Sequence, residues 1–189
     1  MSPKAEGADT AGRLLVATPL FRDRNFNRTV VLMLAHGEKG AAGVVLNRPS
    51  GLLAGDTLPR WAPYLAPPST MFMGGPVSKK SVVALAQVRR DPEESWWTPV
   101  LGPVGTLNLK ADADEVAGAV DGIRLFAGYA GWSPGQLEGE IDAGAWFVVD
   151  ADPADPLSPH PSELWPAVLA RQPSPLSWFA NYPAHPSHN

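Results

Sequence analysis

Two apolar runs, Val30 to Ala35 and Val44 to Leu46, stand on either side of a glycine-bearing turn, His36-Gly37-Glu38-Lys39-Gly40. Their outer ends carry amides and guanidinium groups: Asn25-Phe26-Asn27-Arg28-Thr29 before the first run, Asn47-Arg48-Pro49 after the second. If the runs pair antiparallel, the start of the first lies beside the end of the second. Asn25, Arg28, Asn47 and Arg48 then gather at one end of a sheet. Such a cluster can grip a phosphate or carboxylate bidentately, or it can lock neighbouring loops together. Both readings stand at this point.

Composition narrows the field. A chain of 189 residues suits one domain, here residues 13–189 behind a small polar tail at 1–12. Charged residues make up 18%, below the roughly 25% usual for soluble chains. A net charge of −4 argues against non-specific nucleic-acid binding, which needs a basic stripe. Without cysteine, disulfides, thiolate metal sites and cysteine nucleophiles are all excluded. No apolar stretch reaches membrane-span length, and the residues before Leu14 lack a signal-peptide core. A cytoplasmic location is expected, and the Asn27-Arg28-Thr29 sequon then carries no meaning.

The pattern predicts strands over 13–18, 29–35, 41–47, 70–73, 81–88, 123–130 and 145–149. Helices are expected from Asp56 to about Leu65, from Asp112 to Val120, from Ser133 onward and over 162–171. Ser133, Pro134 and Gln136 read as a capping box with proline at the first helical position. The segment 90–104 reads as a loop carrying Trp96-Trp97, where an indole left exposed would mark a partner surface, although most tryptophans of the chain should be core or lining residues. Many of the 21 prolines fall after Asp150, which favours short helices and loops there. Strands around few short helices indicate an α+β fold with a mixed sheet.

Gly131-Trp132-Ser133-Pro134-Gly135 matches the G-x-S-x-G nucleophile elbow and lies between a strand and a helix, as an elbow must. The chemistry fails. The residue after the serine has to donate its backbone N–H to the oxyanion, and Pro134 has none. Losing such a donor costs about 3 kcal/mol of transition-state stabilisation.

Three ordered blocks resemble the YqgE/AlgH family, also called UPF0301 or DUF179. The first runs from Asn25-Phe26 and Thr29-Val30-Val31 through His36 and Gly40-Ala41-Ala42-Gly43 to Val45-Leu46-Asn47-Arg48-Pro49. The second is Gly74-Gly75-Pro76-Val77. The third comprises Gly128-Tyr129-Ala130-Gly131-Trp132, Gly135-Gln136-Leu137-Glu138, Glu140-Ile141 and Ala145-Trp146. They cover about Arg13 to Arg171. The chain departs at Gly37, where the family often has asparagine, and at Ser133, often glycine. The resemblance implies a complex α+β domain whose bifurcated sheet partly closes into a small barrel flanked by helices. It implies no established activity, although some members carry a transcriptional-regulator label.

The expected ligand-contacting residues are Asn25, Arg28, Thr29, Asn47, Arg48, Gly74, Gly75 and Gln136, with Gly74-Gly75 as a possible nest of N–H groups. No catalytic residue, metal ligand or cofactor is expected. His36 reads as a turn-stabilising residue. The leading expectation is a binding or regulatory domain for a small anionic ligand or a protein partner. The alternatives are an enzyme using Glu138 or Glu140 with Arg28, and a regulator of transcription acting through protein contacts. Neither membrane nor direct nucleic-acid binding is expected.

Overall fold

The computed structural model describes residues 9–93 and 95–184. Ten strands form one sheet: β1 Leu14–Ala17, β2 Val30–Gly37, β3 Gly40–Val45, β4 Pro49–Leu53, β5 Thr70–Met73, β6 Val77–Val88, β7 Trp97–Leu101, β8 Val104–Leu107, β9 Val120–Trp132 and β10 Trp146–Val149. Among the described residues four short α-helices accompany them: α1 Ala54–Thr57, α2 Ala113–Ala117, α3 Gln136–Asp142 and α4 Leu164–Ala170. Short 3-10 turns lie at Pro59–Tyr64, Pro161–Glu163 and Leu176–Asn181.

The main path of the sheet runs β10-β1-β2-β3-β9-β6-β8-β7. It branches at β9, which also pairs in parallel with β5, itself joined to β4. The sheet is therefore mixed, as expected, and mostly antiparallel. The expected barrel is absent: β10 and β7 end the path without pairing to each other. Among the described residues no hydrogen-bonded ladder closes the sheet.

The branch depends on the length of β9, 13 residues. Its first part faces β6 from Val88↔Val120 to Val82↔Ala127, and its last part faces β3 from Gly43↔Ala130 to Ala41↔Trp132. Gly128 sits between the two at φ +71°, a conformation that favours glycine. The pairing resumes at Val77↔Tyr129, so residues 78–81 of β6 bulge out opposite Gly128. A bulge of this kind turns a strand and re-aims its neighbours.

Alternation along β9 divides the core. Phe126 packs with Leu14, Leu32, Phe72 and Trp165 on one side, and Ile123 and Leu125 pack with Trp61, Val116 and Trp97 on the other. A third cluster joins Leu15, Val31 and Met33 to Trp132, Leu137 and Trp146. Among the described residues no helix is long and apolar enough to cross a membrane.

Several expectations shift. The 90–104 loop contains the outer strand β7 and opens into β8. Pro99 is tolerated in β7 because that strand is an edge, and Gly102 at φ +52° makes the turn. Both Trp96 and Trp97 are buried, and the Trp97 indole donates to the Ala86 carbonyl. The exposed tryptophan is Trp178. The helix expected from Asp56 breaks into α1 and a 3-10 turn containing Pro63. Of the tail read at 1–12, residues 1–8 lie outside the described residues. Thr10 is buried, and the Gly12 amide donates to the Met33 carbonyl.

Two charged side chains, Arg124 and Asp155, are buried among the described residues. Arg124 on β9 is 1% exposed and donates to the carbonyls of Pro156, Ser158 and Pro67 at 3.2, 2.9 and 2.7 Å. Its guanidinium lies 4.3 Å from the centre of the Phe72 ring. Burial lowers its pKa to about 10, which leaves it charged at neutral pH. Arg124→Met keeps the stem but takes the donor from these three carbonyls, the one at Pro156 belonging to a buried residue. We expect a loss of about 3 kcal/mol, read as a lower urea midpoint with an unchanged slope.

Candidate functional site

The hairpin of β2 and β3 forms as the sequence predicts, with Val31 opposite Val45 and Gly37 opposite Gly40. Its open end does collect the amides and guanidinium groups, but most of them face protein. The Asn47 carboxamide accepts from the Val30 amide and donates to the Arg28 carbonyl, both at 2.9 Å. It thereby closes the ladder where the chain enters β2. The Thr29 hydroxyl is buried and donates to the Phe26 carbonyl at 2.7 Å.

Arg28 adopts φ +54° and turns away from the hairpin. It donates to the Tyr182 carbonyl at 2.9 Å, and its guanidinium lies 4.0 Å from the centre of the Trp165 ring. Burial pushes its pKa down. This arginine fastens the C-terminal segment to the sheet and does not face the cleft described below.

Arg48 reaches across the 23–27 loop. It donates to the carbonyls of Asn25 at 2.6 Å, Asn27 at 3.1 Å and Arg24 at 3.4 Å. Burial lowers its pKa, partly offset by the carboxylate of Asp23. Asp23 in turn accepts from the Asn25 amide. Loop geometry and charge are thus set by one cation and one turn carboxylate.

Gly74-Gly75 is a close crossing of backbones and not a nest. The Gly74 amide donates to Ala127, and its carbonyl accepts from Val45. A Cβ at Gly74 would stand 2.3 Å from the Gly128 carbonyl oxygen, and one at Gly75 would stand 2.2 Å from the Tyr129 carbonyl. Gln136 is also removed from the hairpin end. Its Oε1 accepts from the Ser133 amide and its Nε2 donates to Glu140. The backward half of the expected capping box is therefore present. The helix itself begins at Gln136, after a turn in which Gly135 takes φ +78°.

What remains is a cleft of about 190 Å3 where β3, β5 and β6 meet, lined by Asn25, Val45, Arg48, Met73, Gly75, Pro76 and Lys79. Two cations and an amide share it with an apolar floor, and its lining includes no acid. Lys79 stands on the bulge opposite Gly128 and has no ion pair among the described residues. Sequence reasoning missed it, because an exposed lysine carries no periodic signal. Only the bulge brings it to Arg48. Of the residues expected to contact a ligand, Asn25, Arg48 and Gly75 line this cleft. Arg28, Thr29, Asn47, Gly74 and Gln136 do not.

The carboxylates of α3 are committed elsewhere. Glu140 accepts from the indoles of Trp132 at 2.8 Å and Trp146 at 2.9 Å, beneath Phe21 and Phe26. Glu138 lies 2.8 Å from Nε2 of His36, whose Nδ1 accepts from the Thr10 amide and contacts its hydroxyl at 3.0 Å. That order of hydroxyl, imidazole and carboxylate has the form of a catalytic relay. The Thr10 hydroxyl, however, belongs to a residue only 1% exposed, which closes it to a substrate. His36, read as a turn residue, instead joins the chain before β1 to α3. Among the described residues no group of three or more His, Asp or Glu is placed to hold a metal ion.

The AlgH-like family model, DUF179, matches residues 14–177. The chain belongs to this family. A UPF0301 protein of Streptomyces coelicolor is 47% identical over the full length of both chains. A UPF0301 protein of Mycobacterium tuberculosis is 43% identical over 95% of this chain and 90% of its own. Among solved structures, a Corynebacterium diphtheriae protein superposes with a TM-score of 0.86 at 35% identity, covering 91% of this chain and 92% of its own. The AlgH protein of Pseudomonas aeruginosa, a UPF0301 member, gives 0.64 at 31% identity, covering 98% and 100%. Membership in the AlgH-like family accounts for the fold. The chemistry has to be read from the cleft.

Glu138 gives this region a pH signature. The bond from its own backbone N–H, and then its contact with His36, hold its carboxyl below the ordinary range. A carboxyl with a depressed folded-state pKa adds stability above its unfolded pKa and loses it as the pH falls through the folded value. Stability should therefore decline on acidification below about pH 4.5. Glu138→Gln should flatten that decline, as measured by melting temperature against pH. The change is small because the side chain is 39% exposed.

Proposed function

We propose that this AlgH-like domain recognises a small anion in the cleft of Asn25, Arg48 and Lys79. The observation that carries the reading is that Arg48 and Lys79, the latter without an ion pair among the described residues, line one concave site whose lining contains no carboxylate. Arg48 is already oriented by three loop carbonyls, so it supplies fixed positive potential without reorganising. Lys79 supplies donors that no protein acceptor uses among the described residues, and Asn25 lines the same cleft. Preorganised donors of this kind favour an anion over water. Arg28 plays no direct part: its donors serve Tyr182 and its face serves Trp165.

A regulatory role through small-anion sensing is consistent with this arrangement. Catalysis by Glu138 or Glu140 with Arg28 finds less support, because these side chains are spent on His36, two indoles and the C-terminal segment. The test is a thermal-shift titration with inorganic phosphate and with malonate. Anion at about a hundred times its Kd should stabilise the wild type by about 2.7 kcal/mol. Lys79→Ala should melt like the unliganded wild type and show no rise. An unchanged melting temperature in the wild type with either anion would refute the reading.

A further inference from the structure

We infer that this cleft is the centre of a wider cationic surface that docks an acidic segment of a partner protein. The inference rests on the small-anion reading above and takes the side-chain carboxylates of that segment as the anions. Charge is spread unevenly over the chain. The 22–27 loop, Arg48 and the 78–81 bulge hold five of the 15 Lys and Arg residues: Arg22, Arg24, Arg48, Lys79 and Lys80. The same pieces hold one of the 19 Asp and Glu residues, Asp23. They meet at the cleft, because Asn25, Arg48 and Lys79 line it and Arg48 holds the loop by its carbonyls.

Arg22, Arg24, Lys79 and Lys80 are exposed, and none of the five cations forms an ion pair among the described residues. Asp23 is committed to the turn, where it accepts from the Asn25 amide. Like charges gathered without counter-charges repel one another, so the cluster does not stabilise the fold. Lysines on an unpaired stretch also guard a strand against edge-to-edge association. That role covers Lys79 and Lys80, which lie where β6 leaves its ladder with β9, but not the three arginines in and beside the loop. Arg22, Arg24 and Lys80 stand outside the cleft lining. One small anion leaves them unused, whereas a ligand with several spaced carboxylates engages them.

Two observations favour a polypeptide over a nucleic acid. The cleft lining holds no aromatic ring on which a base could stack. Its apolar part is Val45, Met73 and Pro76, which suits the methylene groups of glutamate. Beyond this surface acidic residues are in excess, so a long polyanion would be repelled on leaving it.

The probes are N-acetyl-hexaglutamate amide, its hexaglutamine counterpart, malonate, inorganic phosphate and a thymidine hexanucleotide. Each is titrated into the full chain and followed by amide NMR shifts. We expect hexaglutamate to bind at least about tenfold tighter than malonate, because it engages more cations, and to weaken as salt rises. Hexaglutamine should not bind. The double variant Arg24→Ala/Lys80→Ala changes two exposed positions outside the cleft lining. It should melt like the wild type and bind hexaglutamate about fivefold more weakly or worse, with phosphate binding kept within about twofold. Arg90→Ala removes a cation beyond the opposite end of β6 and should leave hexaglutamate binding within about twofold of wild type. Phosphate or malonate binding, with hexaglutamate no tighter than malonate or indifferent to the double variant, would overturn the inference and leave the anion reading intact. A hexanucleotide tighter than hexaglutamate would overturn it in favour of a nucleic acid. Self-association of the chain that the double variant abolishes would overturn it in favour of a second copy. No binding by any probe would overturn both the inference and the anion reading.

Discussion

Three glycines meeting at one crossing set the shape of this domain. Gly74, Gly75 and Gly128 let the β5–β6 connection pass against the middle of β9 at distances that a Cβ would block with backbone atoms. Because the chains touch there, β9 serves β5 and β6 with one half and β3 with the other. Gly128 alone would meet the carbonyl oxygens of Gly75 and Val77 at 2.7 Å if it carried a side chain. The bulge that follows presents Lys79, and the connection before it supplies Gly75 and Pro76. The candidate anion cleft is therefore a by-product of how the sheet forks.

A second regularity is the use of arginine against backbone carbonyls. Arg28, Arg48 and Arg124 each serve loop or C-terminal carbonyls, and none of the three forms an ion pair with a carboxylate among the described residues. A guanidinium offers five donors in a planar fork, so one side chain can satisfy several carbonyls that no strand pairs. Many segments here lie outside helices and strands and so have carbonyls to satisfy. Arg171, by contrast, does pair with a buried carboxylate, that of Asp155, which holds its pKa above the ordinary value.

Much of the fold was legible in the sequence because apolar runs and glycine turns are local signals. The β2–β3 hairpin, β1, β5, β10 and the gathering of Asn25, Arg28, Asn47 and Arg48 at one end follow from pattern alone. The direction of each side chain does not. Arg28 has a positive φ and a C-terminal partner 154 residues away, and nothing local announces either. The β7–β8 hairpin was hidden by Pro99 and Gly102-Pro103, which read as loop until β7 is known to be an edge. Strand β4 was hidden by Pro49, a sign of an ending that here marks a beginning. The role of Glu140 was hidden because its indole partners, Trp132 and Trp146, come from the strands flanking α3.

The most direct measurement is the unfolding free energy of Gly128→Ala beside Gly139→Ala. Gly139 lies in α3 with no atom within 4 Å of an added Cβ, so alanine there should be neutral or stabilising by up to about 1 kcal/mol. Alanine at Gly128 faces an unfavourable φ and backbone oxygens that cannot step aside, and should cost about 2–4 kcal/mol. A Gly128→Ala protein as stable as the wild type would contradict the account, because the crossing would then not govern how the sheet divides.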